Sequence, residues 1–303
     1  MNQTQLKNKS IPAKIVNGFV AGTIGGNPAG VVLGADDLTD TDMLTIATKV
    51  GLSETAFVSE SETEVFKLDF FTPNRRIAHC GHATIAAFSY LAELGKISEG
   101  EASKETVDGP RKIVIKEGAA FMEQLAPNYR MPDDWAKDGV TISSVLRSLG
   151  LNAKDLDPCV EPVLVNTGNN FIVLGVTDAS VLRDLNPDQK QIAEISGKLD
   201  LIGYYVFTTD KKATDKDATT RMFAPRYAIE EESATGMAAG PLACVLHDLL
   251  HIRKNTFIIE QGHFMEPASP SLITVELTVK NNQIQSLMAG GKGKVMKNMD
   301  ISF

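Results

Sequence analysis

Three short segments of this 303-residue chain carry side chains that could move protons. In the first, Leu52-Ser53-Glu54-Thr55-Ala56-Phe57-Val58, a period of two puts Glu54 on one face with Leu52, Ala56 and Val58. A carboxylate among apolar neighbours is costly to ionise, so its pKa is expected to rise towards neutrality, where a general base works. The plainer reading is a glutamate at a strand end, tipped into solvent; Phe57 on the other face weakens the alternation. The second segment, His79-Cys80-Gly81-His82-Ala83-Thr84, runs straight into a helix. N–H groups at a helix start, beside a glycine, form an anion site. A cysteine there is expected to lose its proton easily and act as base or nucleophile, while His82 could hold or share a proton. The alternative is a buried cysteine and a capping histidine. The third segment, Glu230-Glu231-Glu232-Ser233-Ala234-Thr235-Gly236, also opens onto a helix of small residues. Acidic residues before a helix suit its dipole. The functional reading sets one of these carboxylates opposite Glu54 across a cleft, since two carboxylates in one site push their pKa values apart.

Other candidates fall. Two histidines and one cysteine at residues 79–82 lack a second ligand cluster, so no metal is expected. His247 and His251 lie four apart, but Asp248 stands where a zinc-protease motif needs glutamate; they read as solvated helix-face residues. Gly290-Gly291-Lys292-Gly293-Lys294 lacks the Ser or Thr and the spacing of a phosphate loop, and reads as a hairpin turn. Gly22, Gly25 and Gly26 do not make a dinucleotide fingerprint, and no GxSxG elbow occurs.

The elements that must position these groups are short. GGNPAG (residues 25–30) signals a turn before the strand-like Val31-Val32-Leu33. Thr39 and Asp42 cap a helix that Gly51 ends, and residues 52–59 and 65–71 read as strands. Residues 82–94 form a helix of small side chains, suited to burial inside a curved sheet. Residues 127–138 (PNYRMPDDWAKD) are polar, hold two prolines and read as a linker. Beyond them the order of motifs repeats: Phe223-Ala224-Pro225 before a small-residue helix matches Phe71-Thr72-Pro73 before another. That order favours two related halves of α+β type. A net charge of −8 argues against nucleic acid or an anionic membrane as partner. No apolar run is long enough to span a membrane, and the opening residues have no secretory apolar region. Three isolated cysteines, Cys80, Cys159 and Cys244, suggest a reducing, cytoplasmic setting.

Together, GGNPAGVVL (25–33), LSETAFV (52–58), FTP with CGHAT (71–73, 80–84) and RMFAP with ATGMAAGPL (221–225, 234–242) resemble the phenazine-biosynthesis PhzF-like isomerase family. The resemblance runs over nearly the whole chain. It implies the diaminopimelate-epimerase-like fold, in which two similar domains each wrap a curved, mostly antiparallel sheet or barrel around a central helix. The domains would be 12–130, completed by a strand at about 288–303, and 131–287, with the active site in the cleft between them. By the same resemblance Glu54 matches the acid/base glutamate, His82 positions or relays a proton, and Glu232 takes the place of an aspartate. Gly81, His82, Gly236 and Met237 would offer backbone N–H groups to a substrate carboxylate.

The chain departs from the family's EDPATGS at Glu232, Ser233 and Met237; the last removes a side-chain hydrogen bond. Gln261-Gly262 keeps the family's QG, but no arginine precedes Pro270-Ser271. Related racemases oppose two cysteines; Cys80 matches one, whereas Ala234 stands at the other, which disfavours that chemistry. The expectation is an isomerase that shifts a proton within a small carboxylic acid, without metal, nicotinamide, flavin or pyridoxal cofactor, and with a homodimer as the assembly to test. Two alternatives stay open: a carboxylate-binding protein without turnover, and an epimerase using Cys80 alone.

Overall fold

The structure is a computed structural model describing residues 9–303. The first eight residues, part of the stretch read as lacking a secretory signal, lie outside the described residues. The chain divides into two compact units. Residues 9–18, 28–122 and 292–303 make the first; residues 19–27 and 123–291 make the second.

The first unit begins with β1 (Ser10–Gly18) and β2 (Asn27–Leu33). Helix α1 (Asp40–Val50) starts at a reciprocal Thr39–Asp42 capping box and stops at Gly51 in the left-handed conformation, as the sequence predicts. Strands β3 (Thr55–Ser59) and β4 (Phe66–Phe71) follow, with the short β5 (Arg76–Ile77) folded back on β4. Helix α2 (Gly81–Glu93) leads into β6 (Gly100–Glu105), β7 (Arg111–Lys116) and β8 (Ala119–Leu125). Within this unit β2 runs parallel to β3, β3 antiparallel to β4, β4 parallel to β6, and β6, β7 and β8 antiparallel in turn. Residues 293–302 return to pair antiparallel with β1. Helix α2 packs on β1, β3 and β7, strands from opposite ends of this unit's order, so the sheet curves around it. Alanines at 83, 86 and 87, all fully buried, let those strands come close.

The second unit contains β9 (Asn128–Arg130), α3 (Pro132–Trp135), α4 (Ile142–Ser148), β10 (Val163–Asn166), β11 (Asn170–Gly175), α5 (Ala179–Arg183) and α6 (Gln189–Leu199). There follow β12 (Leu201–Thr208), β13 (Ala218–Phe223), α7 (Gly236–Asp248), β14 (Thr256–Gln261), β15 (Ser271–Lys280) and β16 (Gln283–Ser302). From β11 to β16 the pairs run parallel, antiparallel, parallel, antiparallel, antiparallel. This is the same series as β2-β3-β4-β6-β7-β8. In both units the long small-residue helix follows the strand that ends in Phe-x-Pro. The repeat seen as motifs is therefore a repeat of topology.

Four expectations need correction. Residues 127–138 are not a loose linker: they carry β9, α3 and a 3-10 turn, and Trp135 is fully buried. Its indole donates to the Arg130 carbonyl at 2.9 Å and its ring joins the core of Val140, Leu146 and Leu164. The polar letters around it line the surface of a packed segment. Residues 290–294 are no turn but lie inside β16, and the reversal sits at Asn281 and Asn282, both at positive φ. Gly293 serves close approach there, since a Cβ would stand 2.7 Å from that of Ser89 on α2. His247 is buried and bonded to Asp248 at 2.7 Å, while only His251, past the helix end, is exposed. Finally, β3 is buried on both faces and Glu54 precedes it, so alternation is not what places that carboxylate.

Replacing Trp135 by alanine is expected to lower unfolding stability by about 3–5 kcal/mol, the range for large-to-small changes in a core. Urea denaturation followed by circular dichroism measures it; a loss under about 1 kcal/mol, as at an exposed site, would contradict this packing.

Candidate active site

The first cluster forms where α2 begins. Cys80 is the N-cap residue, in extended conformation, and its side chain makes no capping bond; no acidic residue occupies the first turn. The His82 ring stands between two other groups. Its Nδ1 lies 3.6 Å from Cys80 Sγ, and its Nε2 lies 3.4 Å from Glu54 Oε2. Glu54 is held at the mouth of β3, where its carbonyl accepts from the Gly30 N–H at 2.9 Å. Cys80 and His82 are buried, and the Glu54 side chain keeps 13% of its exposure.

The donor atoms of these three residues fall within 4.8 Å of one another, close enough to raise the question of a metal. The ring presents opposite nitrogens to thiol and carboxylate, which is the geometry of a bridge and not of a chelate. A bridge suits proton movement: a proton can enter at one ring nitrogen while another leaves from the second.

Behind this cluster lies a group that the sequence reading missed. Lys104, on β6, is fully buried. Its Nζ donates to Thr84 Oγ1 at 2.5 Å, lies 3.2 Å from His79 Nδ1 and sits 4.9 Å above the Phe70 ring. Thr84 in turn donates to the Cys80 carbonyl at 2.6 Å. Burial pushes Lys104 down to about 7, with Cys80 opposing that shift and Arg111 adding to it. Burial also lowers His79 to about 3, helped by Lys104 and Arg111. His79 is thus neutral near pH 7, as an acceptor facing Lys104 should be. The signal in the sequence was the inward alternation of Ala102, Lys104 and Thr106, hidden in a stretch that reads as polar.

The second cluster surrounds the start of α7. The structure separates the three glutamates. Glu231 makes a two-pronged pair with Arg221, at 2.9 and 2.8 Å, while Arg221 also donates to the Arg183 carbonyl. Glu232 accepts from Asn27 Nδ2 at 3.0 Å and from the Thr235 hydroxyl. Gln261 holds the same loop, since its Oε1 accepts from the Thr235 N–H at 3.0 Å and its Nε2 donates to the Glu232 carbonyl at 2.6 Å. Tyr205, fully buried, donates to Gln261 at 2.9 Å and fixes its amide. The Ser233 hydroxyl donates to the Gly26 carbonyl at 3.1 Å. Gly236 starts the helix, where a Cβ would stand 2.9 Å from the Phe19 ring. The Met237 sulfur accepts from Asn169 at 3.5 Å, a weak bond of its own. Like α2, α7 has neither a side-chain cap nor an acid in its first turn.

The predicted residues therefore gather as two sets, each inside its own unit. Glu54, Gly81 and His82 stand with Cys80 in the first; Glu232, Gly236 and Met237 stand with Thr235 in the second.

Lys104 makes stability depend on pH. Its folded pKa of about 7 lies below its ordinary 10.5, so between these values the unfolded chain binds a proton that the folded chain does not. Stability should rise with pH across that window. Lys104→Met removes this rise, so the stability difference between the two proteins changes from one end of the window to the other. Urea midpoints measured at both ends check it; a pH-independent difference would contradict it.

The chain matches the family described as phenazine biosynthesis-like protein over residues 16–298. An uncharacterized isomerase of Clostridium acetobutylicum is 31% identical over 291 residues, covering 93% of this chain and 95% of that one. A trans-2,3-dihydro-3-hydroxyanthranilate isomerase of Pseudomonas chlororaphis is 26% identical over 287 residues, with 92% and 95% covered. Among solved structures, a PhzF-family phenazine biosynthesis protein of Bacillus anthracis superposes with a TM-score of 0.85 at 25% identity, over 97% of this chain and 99% of that one. Two units of one repeated topology, each around a buried helix, are the diaminopimelate-epimerase-like arrangement expected of such relatives. With the match spanning most of its length, this chain belongs to the phenazine-biosynthesis-like PhzF family.

Proposed function

We propose that the protein is an isomerase that moves a proton within a small carboxylic acid, with Glu54 as the acid/base group. The observation that carries this reading is the His82 ring set 3.4 Å from a partly exposed carboxylate. Glu54 takes a proton from carbon and returns it at another, and His82 holds the carboxylate's orientation and exchanges its proton. N–H groups of Gly81 and His82 at the start of α2 hold the substrate carboxylate, and those of Gly236 and Met237 make a like anion site at the start of α7; neither helix start has a side-chain cap. Glu232, bonded to Asn27 and Thr235, is a fixed acceptor beside the start of α7. The names of two relatives, both isomerases, support the reaction class.

A second reading has one specific observation in its favour: Cys80 Sγ lies 3.6 Å from the other ring nitrogen, so the thiol could serve as acid/base group in an epimerase.

Proton exchange in D₂O, followed by NMR, tests both. The substrates are trans-2,3-dihydro-3-hydroxyanthranilate, taken from the relative's name, and a panel of cyclic and unsaturated carboxylic acids. Glu54→Gln is expected to slow exchange roughly a hundredfold to ten-thousandfold, the usual contribution of a positioned acid/base group. Exchange that survives Glu54→Gln but disappears in Cys80→Ala would replace the first reading with the second. Tight binding measured by calorimetry with no exchange for any acid would leave a binding protein.

A further inference from the structure

Lys104 has no role in the chemistry above, yet it is a fully buried amine in direct contact with the segment that bears it. An amine taken wholly out of water needs compensation. Here no carboxylate supplies it: among the described residues Lys104 takes part in no salt bridge, and its partners are a hydroxyl, an imidazole and an aromatic face. A methionine would fill such a pocket without the cost of burying an amine. The lysine's contacts are specific to the CGHAT stretch. It grips His79, just before Cys80, and Thr84, whose hydroxyl passes the contact on to the Cys80 carbonyl. One amine thereby clasps both ends of the turn that carries Cys80, Gly81 and His82.

We infer that Lys104 is a positioning residue: through Thr84 and His79 it sets the conformation of the Cys80–His82 turn against Glu54. This rests on reading that turn as the reacting segment, but its geometry and its test do not require turnover.

Two features support a role beyond packing. Thr84 Oγ1 donates to the Cys80 carbonyl and accepts from Lys104, so the hydroxyl is a relay with both directions used. The amine's third neighbour, the Phe70 ring, offers its face, and it stands edge-on to His79 at 6.3 Å, which closes the pocket around the amine. The clasp keeps Cys80 Sγ 3.6 Å from His82 Nδ1, where an adjacent base assists a thiol's reaction.

The test uses methyl methanethiosulfonate on the full chain carrying Cys159→Ser, which removes the exposed cysteine. Modification is followed by mass spectrometry, with Cys244, fully buried and its thiol pushed up by burial, as internal reference. Cys80 is expected to react faster than Cys244. Lys104→Met should slow Cys80 roughly two- to tenfold, the rate equivalent of one lost hydrogen bond, and leave Cys244 unaltered. Thr84→Val should slow it comparably, Thr84→Ser should restore it, and Lys104→Met added to Thr84→Val should have little further effect. A Cys80 rate unchanged by Lys104→Met in a folded protein overturns the inference. So does a parent Cys80 as inert as Cys244, or a Thr84→Val rate equal to that of Thr84→Ser. If Lys104→Met does not fold, the two Thr84 variants decide alone. Loss of proton exchange in Glu54→Gln bears on the isomerase reading and not on this one.

Discussion

Each unit of this protein is organised by one constraint: a helix buried on nearly every side. Nine of the thirteen residues of α2 are buried, and ten of the thirteen of α7. A helix in that position cannot present a polar face to water, so it must be built from small and apolar side chains, and strands must approach it closely. The alanines of both helices and Gly293 against Ser89 follow from that requirement. The remaining elements, including α1 with its capped ends, cover the outside of sheets whose inner faces the helices have already claimed.

The same constraint makes every polar residue on these helices consequential. His82 and Thr84 are buried on α2, where an unmatched polar group costs on the order of 1–3 kcal/mol. Thr84 is satisfied by the Cys80 carbonyl and Lys104, and the His82 ring lies between a thiol and a carboxylate. At α7 the equivalent demand falls on the loop before the helix, where Asn27, Gln261 and Tyr205 hold Glu232 and Thr235. Chemistry-bearing residues and structural donors thus belong to continuous networks, and a change in one member alters the geometry of the next.

Much of this is legible in the sequence, and the reasons are local. The Thr39–Asp42 box and Gly51 are signals contained within one helix, and they appear as read. The recurrence of Phe-x-Pro before a small-residue helix marks a repeat because the same topology needs the same turn and the same slim helix in both units. The misreadings share a different cause. Glu54 gained its place from the end of a doubly buried strand, not from alternation. Residues 127–138 read as polar because one tryptophan carries their burial. The glycines at 290–293 read as a turn because glycine marks both turns and close approach, and only the neighbouring helix tells which.

What the sequence determined by itself is the class of fold, the two halves and the segments with chemical potential, because periodicity, caps and short motifs act over a few residues. Which groups meet was decided by tertiary structure. Glu54 and His82 are separated by three strands, β3 to β5, yet they stand 3.4 Å apart. Lys104, in a stretch that reads as solvent-facing, becomes the buried support of residues 79–84. The physical reason is that a sheet curving around a helix brings strands distant in sequence onto one helix end, and no local pattern records which side chain arrives there.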